Sequence, residues 1–344
     1  MSNRGEVHSF SWKHGHGEIQ SLGGMIGPVS FRTKRGRVVQ PFEVAHWENA
    51  AATELANLPG LMHTLRGEWP CVPFGMPTTA TALPHRWLNG LDITGAAFET
   101  EPHGYSSNHH WTLISQNCGS VTMAISYPES HPIKTLTRTI IGDETESAID
   151  LRLAVCARST VDLPIGLHPV FRLPSNHQRS EIQFSGIPRA HTFPIDPIAG
   201  VSHLQPDQSD VPLTKMCLKD GTKIDATLHP FPFKTEELVL VTGHEGRVTL
   251  RNHDEGYATT VEWDAVAFPS CLLWISNHGR TEFPWDGKFR AIGIEPVAAA
   301  FDLGELHSRN LNNPLASAGI KCTEKFTAHK PWTTAYRISV SDIT

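Results

Sequence analysis

Three ionisable residues lie in apolar, strand-like surroundings where a charged group is unexpected. His168 stands in the middle of "PIGLHPVFRLP" (164–174), and Glu295 stands in "AIGIEPVAA" (291–299). His103, in "PHGY", is the third. A histidine alone in an apolar strand is more often a hydrogen-bonded core residue than a catalyst. Two imidazoles and one carboxylate together, however, form a set that can run general acid–base chemistry near neutral pH.

Glu295 carries the strongest signal of the three. A carboxylate between Ile294 and Pro296 would cost several kcal/mol if it were buried, charged and unpaired. The alternative is that Glu295 lies at a sheet edge and meets water. Trp274 and Trp285 stand in the same stretch of chain, and aromatic faces beside a lone carboxylate suit a carbohydrate ring. A functional role is therefore favoured for Glu295, with a small sugar as the partner.

Hydrophobic periodicity favours β-strands along most of the chain. Segment 110–128 predicts two strands around an Asn-Cys-Gly-Ser turn, and segment 133–157 predicts another pair around Gly-Asp-Glu. An Asp-Gly pair within 216–228 is a strong hairpin signal. Four more strand-like runs, LVLVTG, RVTLRN, ATTVEWD and CLLWISN, follow between 238 and 277 with short polar breaks. The sequence thus predicts an all-β, mostly antiparallel chain.

Helical signal is sparse, and one long loop stands out. Segment 48–65 is rich in Ala, Glu and Leu and predicts one short helix before Pro59, because proline ends a helix. The proline-rich stretch 187–212 is typical of an irregular loop, and strand patterning resumes directly after it, so residues 1–344 are predicted to form one domain. More than a dozen strands are too many for one open sheet. Two large packed sheets, an antiparallel β-sandwich with few short helices, are therefore expected.

The composition bears on partners and compartment. The chain has 344 residues, a formal net charge of −6 and a pI near 6.4, so it has no basic field for a polyanion and nucleic acid is not an expected partner. Six scattered cysteines without a CxxC pair indicate reduced thiols. With no apolar leader and no run of about 18 apolar residues, we expect a cytoplasmic protein that does not enter a membrane. The 20 histidines show no metal-ligand spacing, and no metal site is predicted.

Four short segments occur in an order that resembles the aldose 1-epimerase (mutarotase) family of galactose mutarotase-like proteins. "LRGEWPCVPFG" (65–75) resembles the family's arginine-glycine and proline-phenylalanine-glycine segment, "HGY" its first histidine motif, "LHPVF" its second, and "GIEP" its catalytic glutamate motif. Each motif is short, but four in order are fairly specific, and they span about two thirds of the chain, from Leu65 to Pro296. The resemblance implies a β-supersandwich with a sugar on its concave face.

The same resemblance implies a role for each ionisable residue. Glu295 would take the proton from the anomeric hydroxyl and His168 would protonate the ring oxygen, so that ring opening, rotation about the C1–C2 bond and reclosure interconvert α and β anomers. Both pKa values would be tuned toward neutrality, that of Glu295 upward by burial. His103 would bond to the ring oxygen or a hydroxyl. Arg66 would clamp hydroxyls or an anionic group, with an ion pair to Glu68 as the open alternative, and no cofactor is implied.

Further residues near Glu295 are candidates for binding a sugar. Trp274 and Trp285 could stack on a sugar face, and core packing is an equally open interpretation for both. Asn277 and His278 could reach hydroxyls. Exposed edge strands of a large sandwich would also allow a homodimer.

Departures from the family pattern bear on the substrate. Hexose-6-phosphate epimerases of this superfamily tend to have an arginine shortly after the first histidine motif, where this chain has Ser106, Ser107 and Asn108. A phosphorylated substrate is therefore not favoured. Galactose-type members usually place asparagine before the second histidine and tyrosine after it, whereas Leu167 and Val170 stand nearby here.

Two other functional classes stay open. A polysaccharide lyase or glycoside-processing enzyme could share this type of sandwich, but a hydrolase needs two carboxylates and only Glu295 is well motivated. A non-catalytic sugar-binding protein would keep the pocket without the reaction. The first prediction to test is that His103, His168 and Glu295 face one cavity, with Arg66 at its wall.

Overall fold

The computed structural model describes residues 5–77, 82–92 and 97–343, and β-strands dominate them. The strands of these residues, β1 to β22 in chain order, are Val7–Trp12, Gly15–Gln20, Ile26–Arg32, Val38–Val39, Pro70–Cys71, Thr112–Gln116, Ser120–Ser126, Ile133–Gly142, Ala148–Ala157, Val161–Leu163, Ile165–Leu167, Val170–Arg172, Ser180–Thr192, Met216–Cys217, Lys223–Ile224, Leu228–His229, Thr235–Asn252, Tyr257–Trp263, Ser270–Asn277, Arg290–Ala298, Glu324–Phe326 and Trp332–Asp342. Short helices α1 to α6 are Ala52–Leu55, Gly60–His63, His85–Leu88, Tyr105–Asn108, Gly304–Arg309 and Pro314–Ser317, and a 3-10 turn covers Leu213–Lys215.

The strands pair into antiparallel sheets of very unequal size. β1 to β4 form a four-stranded sheet, and β10–β21 and β14–β15 form two small ones. Fourteen strands form a continuous sheet whose main path runs β5-β11-β20-β19-β17-β18-β22-β9-β8-β7-β6, while β12 pairs with β20 and β13 pairs with β16 and β17. The predicted all-β class, a large antiparallel β-sandwich with few short helices, is confirmed.

One long strand joins the two halves of the large sheet. β17 pairs with β19 through residues 235–241 and with β18 through residues 247–252. Gly243 and Gly246, with φ of 71° and 74°, bend the strand between those halves, in a backbone region that suits glycine. The expectation of separate strands at LVLVTG and RVTLRN is therefore wrong, because the glycines bend the chain without ending its pairing with β13.

The predicted hairpins are present, whereas the predicted helix and loop differ from the structure near Pro59 and Pro188. The hairpins β6–β7, β8–β9 and β14–β15 are confirmed. A short helix, α1, precedes Pro59 as predicted, but a second one, α2, begins directly after it. The loop predicted for 187–212 begins only after Thr192, because β13 accommodates Pro188 where its register shifts between Gly186 and Arg189.

Period-two alternation gives the strands around β20 two distinct faces. One face, called here the core face, lies in the main hydrophobic cluster with residues of the four-stranded sheet; its members include Ile292 and Ile294 on β20, Leu273 and Ile275 on β19, and Val239 and Val241 on β17. The other face, called the cavity face, packs under α1, α2 and neighbouring loops; its members include Ala291 and Val297 on β20, Leu272 and Trp274 on β19, and Leu240 on β17. Glu295 has the parity of Ala291 and Val297 and therefore points to the cavity face.

A run of aromatic rings ties the four-stranded sheet to the large one. Trp12 and Phe31 lie 5.6 Å apart edge to face, and Phe42 stacks on Phe171 of β12 at 5.2 Å. Phe31 and Phe42 link the two pairs at 6.5 Å. Burial of each such ring contributes about 1.5–3 kcal/mol. These aromatic contacts therefore help to hold β12 in place against the four-stranded sheet.

Among the described residues, no helix is long and apolar enough to cross a membrane. The same residues contain no group of three or more His, Cys, Asp or Glu side chains that could hold a metal ion. All six cysteines are free thiols.

Candidate active site

Strand pairing brings His168 opposite Glu295. β11 and β12 both pair with β20, with Gly166 opposite Val297 and Val170 opposite Gly293. The interruption between β11 and β12 therefore falls opposite Glu295, and His168 occupies it. The His168 Nε2 atom lies 3.5 Å from the Glu295 Oε1 atom.

Burial dominates the electrostatics of this pair. Glu295 is 1% exposed, and its Oε1 atom has no hydrogen-bond partner among the described residues. Loss of solvation, reinforced by the charge of Asp302, raises the pKa of Glu295 well above its ordinary range. Loss of solvation, reinforced by His103, lowers the pKa of His168 well below its ordinary range. Both shifts favour the neutral form of each residue.

His103 reaches the same place through a strained turn. Its backbone adopts φ of 58°, and Gly104 follows with φ of 84°, where a Cβ would come within 2.5 Å of the Val72 carbonyl oxygen. The His103 ring lies edge to face against His168, with centroids 5.0 Å apart. Burial and then the Arg280 charge lower the pKa of His103 to about 4. The sequence prediction that His103, His168 and Glu295 face one cavity agrees with this geometry.

Two aromatic rings that the sequence analysis did not assign hold the imidazoles. Trp69 stacks on His168 with ring centroids 4.1 Å apart and planes 15° apart. Phe74 lies 5.0 Å from the His103 ring. Both residues belong to "LRGEWPCVPFG", so the signal for them in the sequence is their place in this motif. Their packing fixes the direction of both imidazoles.

Arg280 and Asp302 are two further cavity residues that sequence reasoning missed. The Arg280 Nε atom donates to Glu236 Oε1 at 2.8 Å, and its guanidinium lies 4.7 Å from the centre of the Trp285 ring. Burial raises the pKa of Asp302 to about 6, against the opposing effect of Arg280. Both stand near Glu295 in the sequence, at positions 280 and 302, but neither has a motif of its own. Asp302 brings a second carboxyl group to the cavity.

The cavity has a volume of about 530 Å³, and its lining consists of a few ionisable residues and many apolar ones. Its ionisable lining residues are His103, His168, Arg280, Glu295 and Asp302. Every other lining residue in the described part of the chain is Leu, Ile, Met, Pro, Phe or Trp. A few convergent polar groups in an otherwise apolar cavity, with perturbed pKa values, are typical of an active or ligand-binding site.

Trp274 and Trp285 line the cavity and also pack within its wall. Trp274 stacks on Phe289 at 5.5 Å, and its Nε1 atom donates to Glu236 at 2.5 Å. Trp285 meets Trp47 edge to face at 4.7 Å. The structure therefore supports core packing for both tryptophans. Stacking of either ring on a sugar stays a prediction.

Arg66 and Asn277 do not line the cavity, which corrects their predicted placement. Leu65 faces the cavity, so the next residue in this extended segment points away from it. The Arg66 side chain is 1% exposed and donates to Glu48 Oε2 at 2.9 Å, rather than pairing with Glu68. Asn277 is odd-numbered on β19, like Leu273 on the core face, and donates to two backbone carbonyls, those of Phe231 and Phe233. His278, the other proposed hydroxyl partner, lies outside the lining, with Nδ1 2.9 Å from the Gly287 carbonyl oxygen.

A glycine sets the position of the Glu295 carboxyl group. A Cβ built on Gly293 would lie 2.3 Å from Glu295 Oε1 and 3.1 Å from the Trp274 Cβ atom. Gly293 and Glu295 are two residues apart on β20, so they share the cavity face. The carboxyl group therefore occupies the space that a side chain at position 293 would fill.

Comparison with known proteins gives matches in structure and none in sequence. No protein-family model matches the chain, and no curated protein sequence matches it. A provisionally assigned aldose 1-epimerase from Escherichia coli K12 superimposes with a TM-score of 0.66 at 13% identity, over 98% of this chain and 99% of that one. A galactose mutarotase related enzyme from Lactobacillus acidophilus gives 0.59 at 15% identity over 98% of each chain. A galactose mutarotase-like protein from Lactobacillus casei gives 0.58 at 12% identity, over 97% and 100%.

Proposed function

We propose that this chain, which has the galactose mutarotase-like fold, is an aldose 1-epimerase that interconverts the α and β anomers of an aldose. The observation that carries the proposal is the buried contact between His168 and Glu295, 3.5 Å apart, in the lining of a ligand-sized cavity. Anomer exchange needs one proton donor and one proton acceptor near the same carbon atom, and this pair supplies both.

The reaction moves one proton onto the sugar and one off it. When the ring opens, the anomeric hydroxyl loses its proton to a base, the C1–O bond to the ring oxygen breaks, and the ring oxygen takes a proton from an acid. The aldehyde rotates about the C1–C2 bond and the ring closes by the reverse transfers. The base of the opening step is therefore the acid of the closing step, and each group must both give and take a proton.

The electrostatics favour a definite starting distribution of the proton. Because burial favours neutral Glu295 and neutral His168, the carboxyl group starts as the acid and the imidazole as the base. The family resemblance implies the opposite order, with Glu295 as the base. Transfer of one proton between Oε1 and Nε2 converts one arrangement into the other, so a single shared proton serves either order. Burial also excludes water, which strengthens these interactions.

The remaining ionisable groups of the cavity would bind and orient the sugar. The Nδ1 atom of His103 is buried and has no partner among the described residues, so it is available to a sugar oxygen. Arg280 is held by Glu236 through Nε, which leaves the fork of its terminal nitrogens for hydroxyl oxygens. Trp69 would keep the His168 ring in place through stacking.

The test is anomeric exchange measured by NMR on a panel of free and substituted aldoses. Wild-type protein should accelerate exchange for at least one aldose, and His168→Asn should lower that acceleration about 10²- to 10⁴-fold, the range expected for a lost general acid or base. His85→Asn, an exposed histidine outside the cavity lining, is the matched control and should exchange like wild type. The absence of acceleration across the whole panel would contradict the proposal.

Asp302 also favours a second candidate, a glycoside hydrolase. Such an enzyme uses two carboxyl groups flanking the scissile bond, and Asp302 joins Glu295 in the cavity lining. Nitrophenyl glycosides distinguish the two activities, because a hydrolase releases nitrophenol and an epimerase, which needs a free anomeric hydroxyl, does not. Binding of a sugar without exchange or hydrolysis would indicate a non-catalytic sugar-binding protein.

Substitution of Asp302 should move the pH dependence of exchange in a defined direction. Above a pH of about 6 Asp302 is ionised, and its charge raises the pKa of Glu295. In Asp302→Asn that charge is gone, so the pKa of Glu295 falls and the limb of the kcat/KM profile that reports Glu295 moves to lower pH. Asp286→Asn removes the same charge from an exposed turn outside the lining and should leave the profile in place. An unchanged profile in Asp302→Asn would show that the charge of Asp302 does not affect the pKa of Glu295.

Substitution of Gly293 should impair activity far more than stability. An alanine there displaces the flexible end of Glu295 rather than backbone, so we expect a folded protein with a misplaced carboxyl group. Misplacement of a catalytic group by about 1 Å can cost on the order of 10²-fold in rate. Gly119→Ala is the control, since the nearest atom to its added Cβ is 3.5 Å away. Exchange rates and thermal melting of both variants give the comparison, and full activity in Gly293→Ala would contradict this position of Glu295.

A further inference from the structure

The cavity lining is far more apolar than an unsubstituted sugar requires. A free aldopyranose carries a hydroxyl group on most of its ring carbons, and each hydroxyl that loses water without gaining a hydrogen bond is unfavourable by about 1–3 kcal/mol. Among the described residues, five ionisable side chains are available to such a ring, and the other lining residues are aliphatic, aromatic or proline. The polar groups suffice for one part of a ligand and leave the rest of the lining without a polar match.

The size of the cavity points the same way. At about 530 Å³ it lies within the range of about 300–1,000 Å³ that holds drug-sized ligands, so there is room for a group beyond one sugar ring. That additional space has largely apolar walls, because three of the five ionisable lining residues, His103, His168 and Glu295, contact one another and leave most of the lining to apolar side chains. An apolar group is the occupant that these walls favour.

Several apolar lining side chains keep part of their surface exposed. Met62 on α2, Ile198 in the loop after β13 and Leu238 on β17 are only half-buried. Met76 and Phe283 are 38% and 46% exposed. These side chains come from five separate parts of the chain. Apolar surface left exposed inside a cavity is typical of a ligand-binding site, and a ligand that covers it gains about 25 cal/mol for each Å².

We propose that the substrate is a reducing aldopyranose that carries one apolar substituent of about the size of a phenyl ring. This inference rests on the proposed epimerase function. The anomeric centre lies at Glu295 and His168, the ring hydroxyls meet Arg280, Asp302 and His103, and the substituent covers the apolar lining. The substituent is attached away from C1, because the reaction needs a free anomeric hydroxyl group.

The experiment compares sugars that differ only in this substituent. The probes are D-glucose and D-galactose, each with its 4,6-O-benzylidene derivative, which keeps the anomeric hydroxyl free and adds one phenyl ring. We expect kcat/KM for anomeric exchange to be at least about tenfold higher for the benzylidene sugar in one of the two pairs. Ile198→Asn and Met62→Gln should reduce that preference about tenfold or more. Ile187→Asn is the matched control, because Ile187 is 80% exposed outside the cavity lining, and it should keep the preference.

A binding measurement separates failure of this inference from failure of the proposed function. Methyl 4,6-O-benzylidene glycosides cannot change anomer, so their binding, followed by calorimetry, does not depend on catalysis. Tight binding that Ile198→Asn weakens, with no exchange of any sugar, would support the apolar ligand class and overturn the epimerase. Equal or faster exchange of the unsubstituted sugar in both pairs would overturn the ligand class and support the epimerase. Absence of both exchange and binding would overturn both.

Discussion

Glu295→Gln is expected to lower anomeric exchange about 10²- to 10⁴-fold while the protein becomes more stable at neutral pH. The rate falls because glutamine fills the same space but can neither give nor take the proton. Stability rises because wild-type Glu295 must take up a proton when the protein folds at neutral pH, whereas glutamine is neutral in both states. Glu295 is 1% exposed, and its Oε1 atom has no hydrogen-bond partner among the described residues, so the folded protein gains little from its charge.

The gain in stability has a defined pH dependence. The folded-state pKa of Glu295 lies above its ordinary value of 4.5, so the wild-type protein binds this proton more tightly when folded. Its stability is therefore complete below pH 4.5 and falls as the pH rises from there to the folded pKa, by about 1.4 kcal/mol for each pH unit. The variant lacks this loss, so its advantage in urea unfolding should be small at pH 4 and grow above pH 4.5.

Glu144→Gln is the control for both effects. Glu144 is exposed in the turn between β8 and β9, so its substitution should change neither exchange nor unfolding at any pH. An active Glu295→Gln variant would remove Glu295 from the reaction. A variant that loses stability at neutral pH would show instead that the charged carboxylate is well stabilised in the folded protein.

Arg138→Met is expected to destabilise the protein by about 3–5 kcal/mol, the usual result of removing one partner of a buried ion pair. Arg138 is 1% exposed, and its Nη2 atom lies 2.5 Å from Glu68 Oε2. Tyr336 donates to the other carboxylate oxygen at 2.6 Å. Without Arg138 the Glu68 charge keeps only the tyrosine, in a place that water does not reach. The midpoint of urea unfolding should therefore fall sharply.

Two comparisons identify the cause of that loss. Removing both charges in Arg138→Met with Glu68→Gln should restore part of the stability, because no buried charge is then left unpaired. Arg247→Met breaks an ion pair to Glu262 whose side chains are 57% and 39% exposed, and such pairs contribute only about 0–1 kcal/mol. A double variant less stable than Arg138→Met would show that packing, rather than the unpaired charge, explains the loss.

The local fold could be predicted from the sequence because its signals are local. Turn residues and β-branched runs identify the hairpins of β6–β7, β8–β9 and β14–β15. The long strand β17 could not be identified in this way, because Gly243 and Gly246 are turn signals in sequence and a bend within a continuous strand in space. Which strands pair across the large sheet depends on contacts far apart in the chain, and a single sequence does not display these.

The candidate site was predicted where residue type alone was informative. His168 and Glu295 stand out because they are ionisable groups in apolar strands. Burial of such a group lowers the stability of the fold unless the group is paired, so its presence there indicates a functional role. Asn277 could have been excluded, because it lies three residues from Trp274 on one strand and so faces the opposite side. Arg280 and Asp302 could not be assigned, because their positions depend on the loops that follow β19 and β20. That residues 1–344 form one domain, and that the chain forms a homodimer, stay predictions.

The most direct test of the shared proton is a double-mutant cycle on anomeric exchange with Glu295→Gln, His168→Asn and both together. If the two residues act as one acid–base pair, the double variant should be no slower than the slower single variant, because either substitution alone already breaks the proton transfer. Losses that multiply would show that Glu295 and His168 act independently. Exchange retained at the wild-type rate in either single variant would contradict a catalytic role for the pair.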